Sequence, residues 1–162
     1  MSNQQYCDYK DYSSASPETR EDREIMEMAA LTDRGANYWP LKLYLALDDL
    51  SDKRYHHGMH NGILSWLPHG RAFCIHDPSR FETEVMPLYI RMTKLSSFYR
   101  QLKAYGFIEL RQDGSKKYFY HEMFLRGKPF LCSRVKMSKD KPASRSKKKM
   151  PRFDNFPPCY PV

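Results

Sequence analysis

Four cysteines are all the sequence holds, and Cys7, Cys74, Cys132 and Cys159 stand too far apart for a compact disulfide framework or a zinc-binding pair. They read as free thiols of a reducing compartment. No stretch reaches the about 20 apolar residues of a membrane-spanning helix, and the start MSNQQYCDYK lacks the basic, then apolar, layout of a secretory signal. No glycine-rich phosphate loop is present. Catalytic groups are equally scarce. Cys74 falls in an apolar run, where a thiol is inert rather than activated. Asp48, Asp49 and Asp52 cluster at the end of a helical pattern, where acids read as solvated surface groups rather than an acid and base pair. His56, His57 and His60 gather imidazoles, but in a connecting loop without the partners that would complete a metal site. No membrane-spanning helix is therefore expected, nor any membrane partner, catalytic residue, metal, cofactor or small-molecule substrate.

What the chain has instead is positive charge, unevenly placed. Of the net +8 over 162 residues, residues 1–36 contribute −4, residues 37–132 contribute +5 and residues 133–162 contribute +7. A basic domain followed by a more basic tail attracts polyanions such as nucleic acid. With 41% hydrophobic residues the chain has room for one core plus tails. Three regions follow: an acidic extension at 1–36, partly helical or disordered; a folded domain at 37–136; and a disordered, basic, proline-containing tail at 137–162. In the extension, Pro17 to Leu31 reads as a helix closed by Gly35, and its apolar face of Ile25, Met28, Ala29 and Leu31 is thin for docking. In the tail, Arg145, Lys147, Lys148 and Lys149 form a nuclear localisation candidate that also suits nonspecific phosphate binding; a solubilising tail is the bland alternative.

The apolar spacing of the middle region sets its elements. Leu41 to Leu50 is a helix ending at Ser51-Asp52, and Ile63 to Trp66 with Ala72 to Ile75 form a hairpin around Leu67-Pro68-His69-Gly70. Asp77-Pro78 starts a second helix carrying Phe81, Val85, Leu88 and Tyr89, and Pro87 predicts a kink or bulge near Met86. Thr93 is the expected cap of a third helix and Gly106 its stop. Phe107 to Leu110 then pairs with Lys117 to Tyr120 across Asp113-Gly114. The expected class is α+β: a winged helix-turn-helix with a three-helix core, a small antiparallel β-sheet and a short wing.

The third helix carries the chemistry. Leu95, Phe98, Leu102 and Tyr105 share one face at helical spacing, and Ser97, Arg100, Gln101 and Ala104 share the other. A hydroxyl, a guanidinium and an amide with little bulk around them match what reads DNA: Arg donates twice to guanine O6 and N7, Gln pairs with adenine N6 and N7, and Ser suits a phosphate oxygen. An ordinary amphipathic surface helix is the structural alternative at this point.

The run Ser96-Ser97-Phe98-Tyr99-Arg100-Gln101-Leu102-Lys103-Ala104-Tyr105-Gly106-Phe107 resembles the recognition-helix signature of the heat shock transcription factors, where an SFVRQLN-type run ends in YGF. It is flanked in order by Gly70 to Ile75, Phe81 to Pro87, Tyr118 to His121 and Phe124 to Gly127, each similar to a family block, so the likeness covers about residues 38 to 136. The resemblance implies a sequence-specific transcription regulator, nuclear and linked to stress response, that binds double-stranded DNA. It puts the helix at about 94–106 in the major groove of a GAA-type half-site. It implies Arg100 as base reader, Ser97 and Gln101 flanking it, Lys103 where the family has a backbone-touching Asn, and Arg91 and Lys94 at phosphates. Ile108-Glu109 departs from the family's basic pair, and Cys132 and Met137 stand where Leu and a basic residue are usual. Two other classes stay open: a winged-helix module that binds RNA or protein, and a noncatalytic regulator that heterodimerises with full-length relatives. Heptads for a coiled coil are absent, so a monomer off DNA is expected.

Overall fold

Trp39 and Pro40 open the first core helix, and the leucines behind them are apolar on almost every side, which suits a helix enclosed by other elements. The computed structural model describes residues 10–30, 38–51 and 62–138. The elements run α1 (Arg20–Ala30), α2 (Trp39–Ser51), β1 (Leu64–Trp66), β2 (Ala72–Ile75), α3 (Pro78–Arg80) passing directly into a π-helical segment (Phe81–Ile90), α4 (Leu95–Ala104), β3 (Ile108–Asp113), β4 (Lys116–Tyr120) and a 3-10 helix (Pro129–Arg134). Helices α2, α3 with its π-helical continuation, and α4 form the core bundle. The two expected hairpins join through β2 and β4 into one antiparallel sheet of order β1-β2-β4-β3. Phe73 sits opposite Phe119, and Ile108 opposite Tyr120. The wing closes tightly, since Asp113 pairs with Lys116 and leaves only Gly114, at φ 59, and Ser115 between them.

Leu41, Leu43 and Leu47 of α2, Phe73 of the sheet, Val85 of the π-helical segment and Phe98 of α4 are fully enclosed together. Asp77 caps α3 as expected, its side chain accepting the Arg80 N–H at 3.1 Å. Pro87 has a larger effect than a local bulge. Without its N–H the four-residue ladder is interrupted, and the backbone is wound one residue wider from Phe81 to Ile90, ending with the Arg91 N–H on the Met86 carbonyl at 2.8 Å.

Several expectations need correction. The N-terminal helix begins at Arg20 rather than Pro17, because Thr19 and Asp22 cap each other: the Asp22 N–H donates to Thr19 Oγ1 and the Thr19 N–H to the Asp22 carboxylate, both at 3.0 Å. Its docking is firm rather than thin. Ile25 is buried in the core, and Asp22, 1% exposed, accepts from Ser133 Oγ at 3.0 Å and Arg134 Nη2 at 2.9 Å on the 3-10 helix. Upstream, Asp11 accepts from the buried guanidinium of Arg71. Asp49 is not merely solvated, since it accepts the Tyr89 hydroxyl at 3.0 Å. The expected helix end at Leu31, the stop at Gly35, His56, His57 and His60, Asp52, Cys7, Cys159 and the tail with Arg145, Lys147, Lys148 and Lys149 lie outside the described residues.

Candidate nucleic-acid interface

The roll of α4 about its axis is fixed from below. Phe98 and Leu102 are buried, with Phe98 edge-on to Phe81 at 4.9 Å between ring centroids and 5.6 Å from Trp39, while Tyr105 stacks on Trp39 at 5.1 Å. Leu95 and Tyr105 are half-buried at the two ends of that face. The roll leaves Arg100 and Lys103 exposed, with Ser97 and Gln101 half-buried beside them. Long donors therefore project from a helix whose axis cannot turn.

The ends of α4 are held by different means. At the C-terminal end, Gly106 at φ 83 takes the left-handed position, its N–H reaching the Lys103 carbonyl and the Phe107 N–H the Leu102 carbonyl, each at 3.0 Å. At the N-terminal end the expected Thr93 cap is not formed. The capping position is Lys94, which offers no acceptor, and the carboxylate of Glu82, from the π-helical segment, accepts the Leu95 N–H at 2.7 Å. An anion at a helix N-terminus also favours the helix dipole. Arg91 sits in the left-handed region at φ 59, a conformation that a non-glycine residue adopts at a cost of about 1 kcal/mol or more, and it turns the chain from the π-helical segment into α4.

The six residues expected to meet DNA thus gather on and just ahead of α4. Arg91, Lys94, Arg100 and Lys103 make no ion pair with any described residue. Sequence reasoning missed the flank of the helix. Tyr99 packs near-parallel to Phe119 of β4 at 5.9 Å, Lys117 Nζ lies 4.2 Å above its ring, and its hydroxyl is buried without a hydrogen-bond partner among the described residues. Burial pushes the Tyr99 phenol up to about 12, with the charges of Glu109 and Glu82 adding to the shift. Tyr99 standing at the Val of the SFVRQLN-type run was the available signal. His121, packed 5.2 Å from Phe107, is held down to about 4 by burial, so it is neutral and its Nδ1 accepts the Met123 N–H at 3.0 Å.

Metal and catalytic chemistry find no support among the described residues. No three His, Cys, Asp or Glu side chains converge there. Ser65 Oγ lies 2.7 Å from His76 Nε2, and His76 Nδ1 lies 3.6 Å from the Cys74 thiol, a chain that ties the first hairpin together. Burial pushes the Cys132 thiol up, which keeps it protonated. No described helix is long and apolar enough to cross a membrane.

The model of the HSF-type DNA-binding family matches residues 40–138. The chain is 39% identical over 93 residues to heat shock factor protein 4 of Canis lupus familiaris, covering 52% of this chain and 18% of that protein. It is 35% identical over 103 residues to heat shock factor protein HSF8 of Solanum peruvianum, covering 64% of this chain and 17% of that protein. The chain thus spans less than a fifth of the length of these curated relatives. Among solved structures it is similar to Chaetomium thermophilum Skn7 with SSRE DNA, at TM-score 0.53 and 21% identity over 63% of this chain and 100% of that one. Skn7 with HSE DNA gives TM-score 0.52 and 24% identity over 62% and 99%. At those identities the structural likeness speaks to the winged-helix fold.

Proposed function

The chain belongs to the HSF-type DNA-binding family, a family of DNA-binding transcription regulators and not an enzyme class, and on that premise we propose that it reads double-stranded DNA in a sequence-specific way through α4. The helix enters the major groove of a GAA-type half-site. Arg100 donates two guanidinium N–H groups to O6 and N7 of a guanine, Ser97 and Gln101 contact the neighbouring positions, and Lys103, Arg91 and Lys94 meet phosphates. The observation that supports this most is Arg100 itself: exposed, without an ion pair to any described residue, and on the face opposite Phe98 and Leu102 of a helix pinned at both ends. A base-reading residue needs a fixed origin and a free head group, and Arg100 has both. The protein acts in the nucleus, where Arg145, Lys147, Lys148 and Lys149 serve import, and it is a monomer off DNA that meets related HSF-type proteins on neighbouring sites.

The test is a selection of random duplexes by the purified protein, followed by titration of the selected duplex, a scrambled duplex, the single strands and the matching RNA at two salt concentrations. A duplex preference with a sequence ratio is expected. Arg100→Ala should remove about 1 to 3 kcal/mol of discrimination and leave weak, salt-sensitive binding in place. Equal binding to RNA and duplex, or unchanged specificity in the variant, overturns the assignment.

A further inference from the structure

The interface has a second supplier of positive charge, from the sheet. We propose that Lys117 of β4 is a further phosphate-contacting residue and that Tyr99 is its positioning residue, an inference that rests on α4 lying in the groove. A helix about 10 to 12 Å across fills a major groove about 12 Å wide, so its flanks face the sugar-phosphate strands while only its tip and outer face meet bases. Ser96, Tyr99 and Lys103 follow at intervals of three and four and form one such flank. Lys117 joins that flank from outside the helix, with its Nζ 4.2 Å from the centroid of the Tyr99 ring.

The seat is built rather than incidental. The Tyr99 ring is near-parallel to Phe119 at 5.9 Å and tilted 60° to Phe98 at 6.0 Å, so it cannot follow the lysine. Lys117 and Phe119 are two residues apart on β4 and point to the same side of the sheet, toward α4, whereas Lys116 points to the other. Register holds Lys117 between Ile75 of β2 and Gln112 of β3. On that face of the sheet the acid nearest in register is Glu109, opposite Phe119, and it makes no ion pair with Lys117, while Asp113 stands opposite Lys116. The ring covers one side of the ammonium and leaves its remaining protons for an external acceptor. A cation fixed on aromatic carbon loses less freedom on meeting phosphate than a lysine ordered from solution.

The test uses the whole chain with the selected and scrambled duplexes across a salt series, on Lys117→Met, Tyr99→Leu, their double variant and Tyr99→Phe. Removing one phosphate contact makes the slope of log affinity against log salt shallower by about 0.9, which is roughly an eightfold loss at 0.1 M salt for both duplexes. Lys117→Met and Tyr99→Leu should each show that loss with the sequence ratio intact, the double variant should lose no more than either alone, and Tyr99→Phe should match the wild type. An unmoved slope in Lys117→Met overturns the phosphate role. Additive losses, or a wild-type slope in Tyr99→Leu, overturn the positioning role. A wild type with no duplex preference is a different failure and falls on α4 as the reader, since the Lys117 arms are scored only against an intact wild-type ratio.

Discussion

Asp22→Ala should unfasten the N-terminal helix from the domain and lower the melting temperature by roughly 10 to 20 °C. The Asp22 carboxylate accepts four hydrogen bonds: from the Glu18 and Thr19 N–H groups at 3.0 Å, from Ser133 Oγ at 3.0 Å and from Arg134 Nη2 at 2.9 Å. Losing the helix cap costs about 1 kcal/mol, and bonds to a charged group contribute about 1.5 to 3 kcal/mol. Two features reduce the sum. Ser133 keeps the Phe130 carbonyl as acceptor at 2.9 Å, and Arg134, 29% exposed, regains water. About 2 to 4 kcal/mol remains, and a domain of roughly 100 residues unfolds with an entropy near 0.2 kcal/mol/K. The pH dependence has a definite sign. Burial opposes the Asp22 charge, but the Thr19 and Glu18 N–H groups, Arg134 and Ser133 outweigh it and hold the group well below the usual carboxylate range. Its contribution is therefore present above the unfolded value of about 3.9 and is lost as the pH falls through that value toward the folded one. Melts followed by circular dichroism at pH 7, 5 and 3 should show the gap between wild type and variant narrowing only at pH 3. A gap under about 2 °C at pH 7, equivalent to less than roughly 0.5 kcal/mol, would mean that α1 does not dock in solution.

Glu82→Ala removes the carboxylate that accepts at the α4 N-terminus and should cost about 1 to 2 kcal/mol, with Glu82→Gln losing less; equal melting of Glu82→Ala and wild type would show that water caps Leu95 equally well. Truncation after Met137 should weaken binding to all duplexes alike and make the salt slope shallower by roughly one unit for each phosphate that the tail had neutralised, with specificity retained; an identical slope would free the tail from that role. In sedimentation the 162-residue chain should run as a monomer, because five prolines interrupt the few apolar residues after Val135. A concentration-independent trimer without DNA would point to an assembly surface on α1 or the wing.

Burial periodicity made much of this fold legible. Helix α4 was expected at about 94–106 and spans Leu95–Ala104, and β2 was expected at its observed bounds, because buried faces constrain those residues more than anything at long range does. The features that sequence hid are those in which a polar residue acts across the chain. Glu82 caps a helix thirteen residues away, and that cap makes Thr93 unnecessary. Asp22 reads as a surface acid of an acidic segment, yet it is buried against residues more than a hundred positions later. Arg71 is fully buried because Asp11, sixty residues earlier, neutralises it. The 3-10 helix Pro129–Arg134 has too few residues to display a period. Pro87 signals a break but not that the break spreads over ten residues.

These hidden pairings also explain how a modest net charge becomes a local one. Residues 37–132 carry nine acids beside fourteen bases, so the interface is most basic where the acids are engaged elsewhere. Asp11 is on Arg71, Asp22 on Arg134, Glu21 on Lys136 and Glu84 on Arg80, while Asp49 accepts a tyrosine hydroxyl. Glu82, the acid next to the helix start, is turned onto a backbone N–H rather than onto Lys94 or Arg91. What remains around α4 is a set of cations that no described carboxylate approaches within ion-pair distance, and at about 10 Å of screening length in 0.1 M salt such a cluster presents its own potential rather than the domain average. Glu109 is the exception on that flank, exposed on β3 opposite Phe119. On the proposed docking of α4 that charge opposes an incoming phosphate strand, so replacing Glu109 is expected to change affinity and salt dependence and to leave the base preference assigned to Arg100 intact.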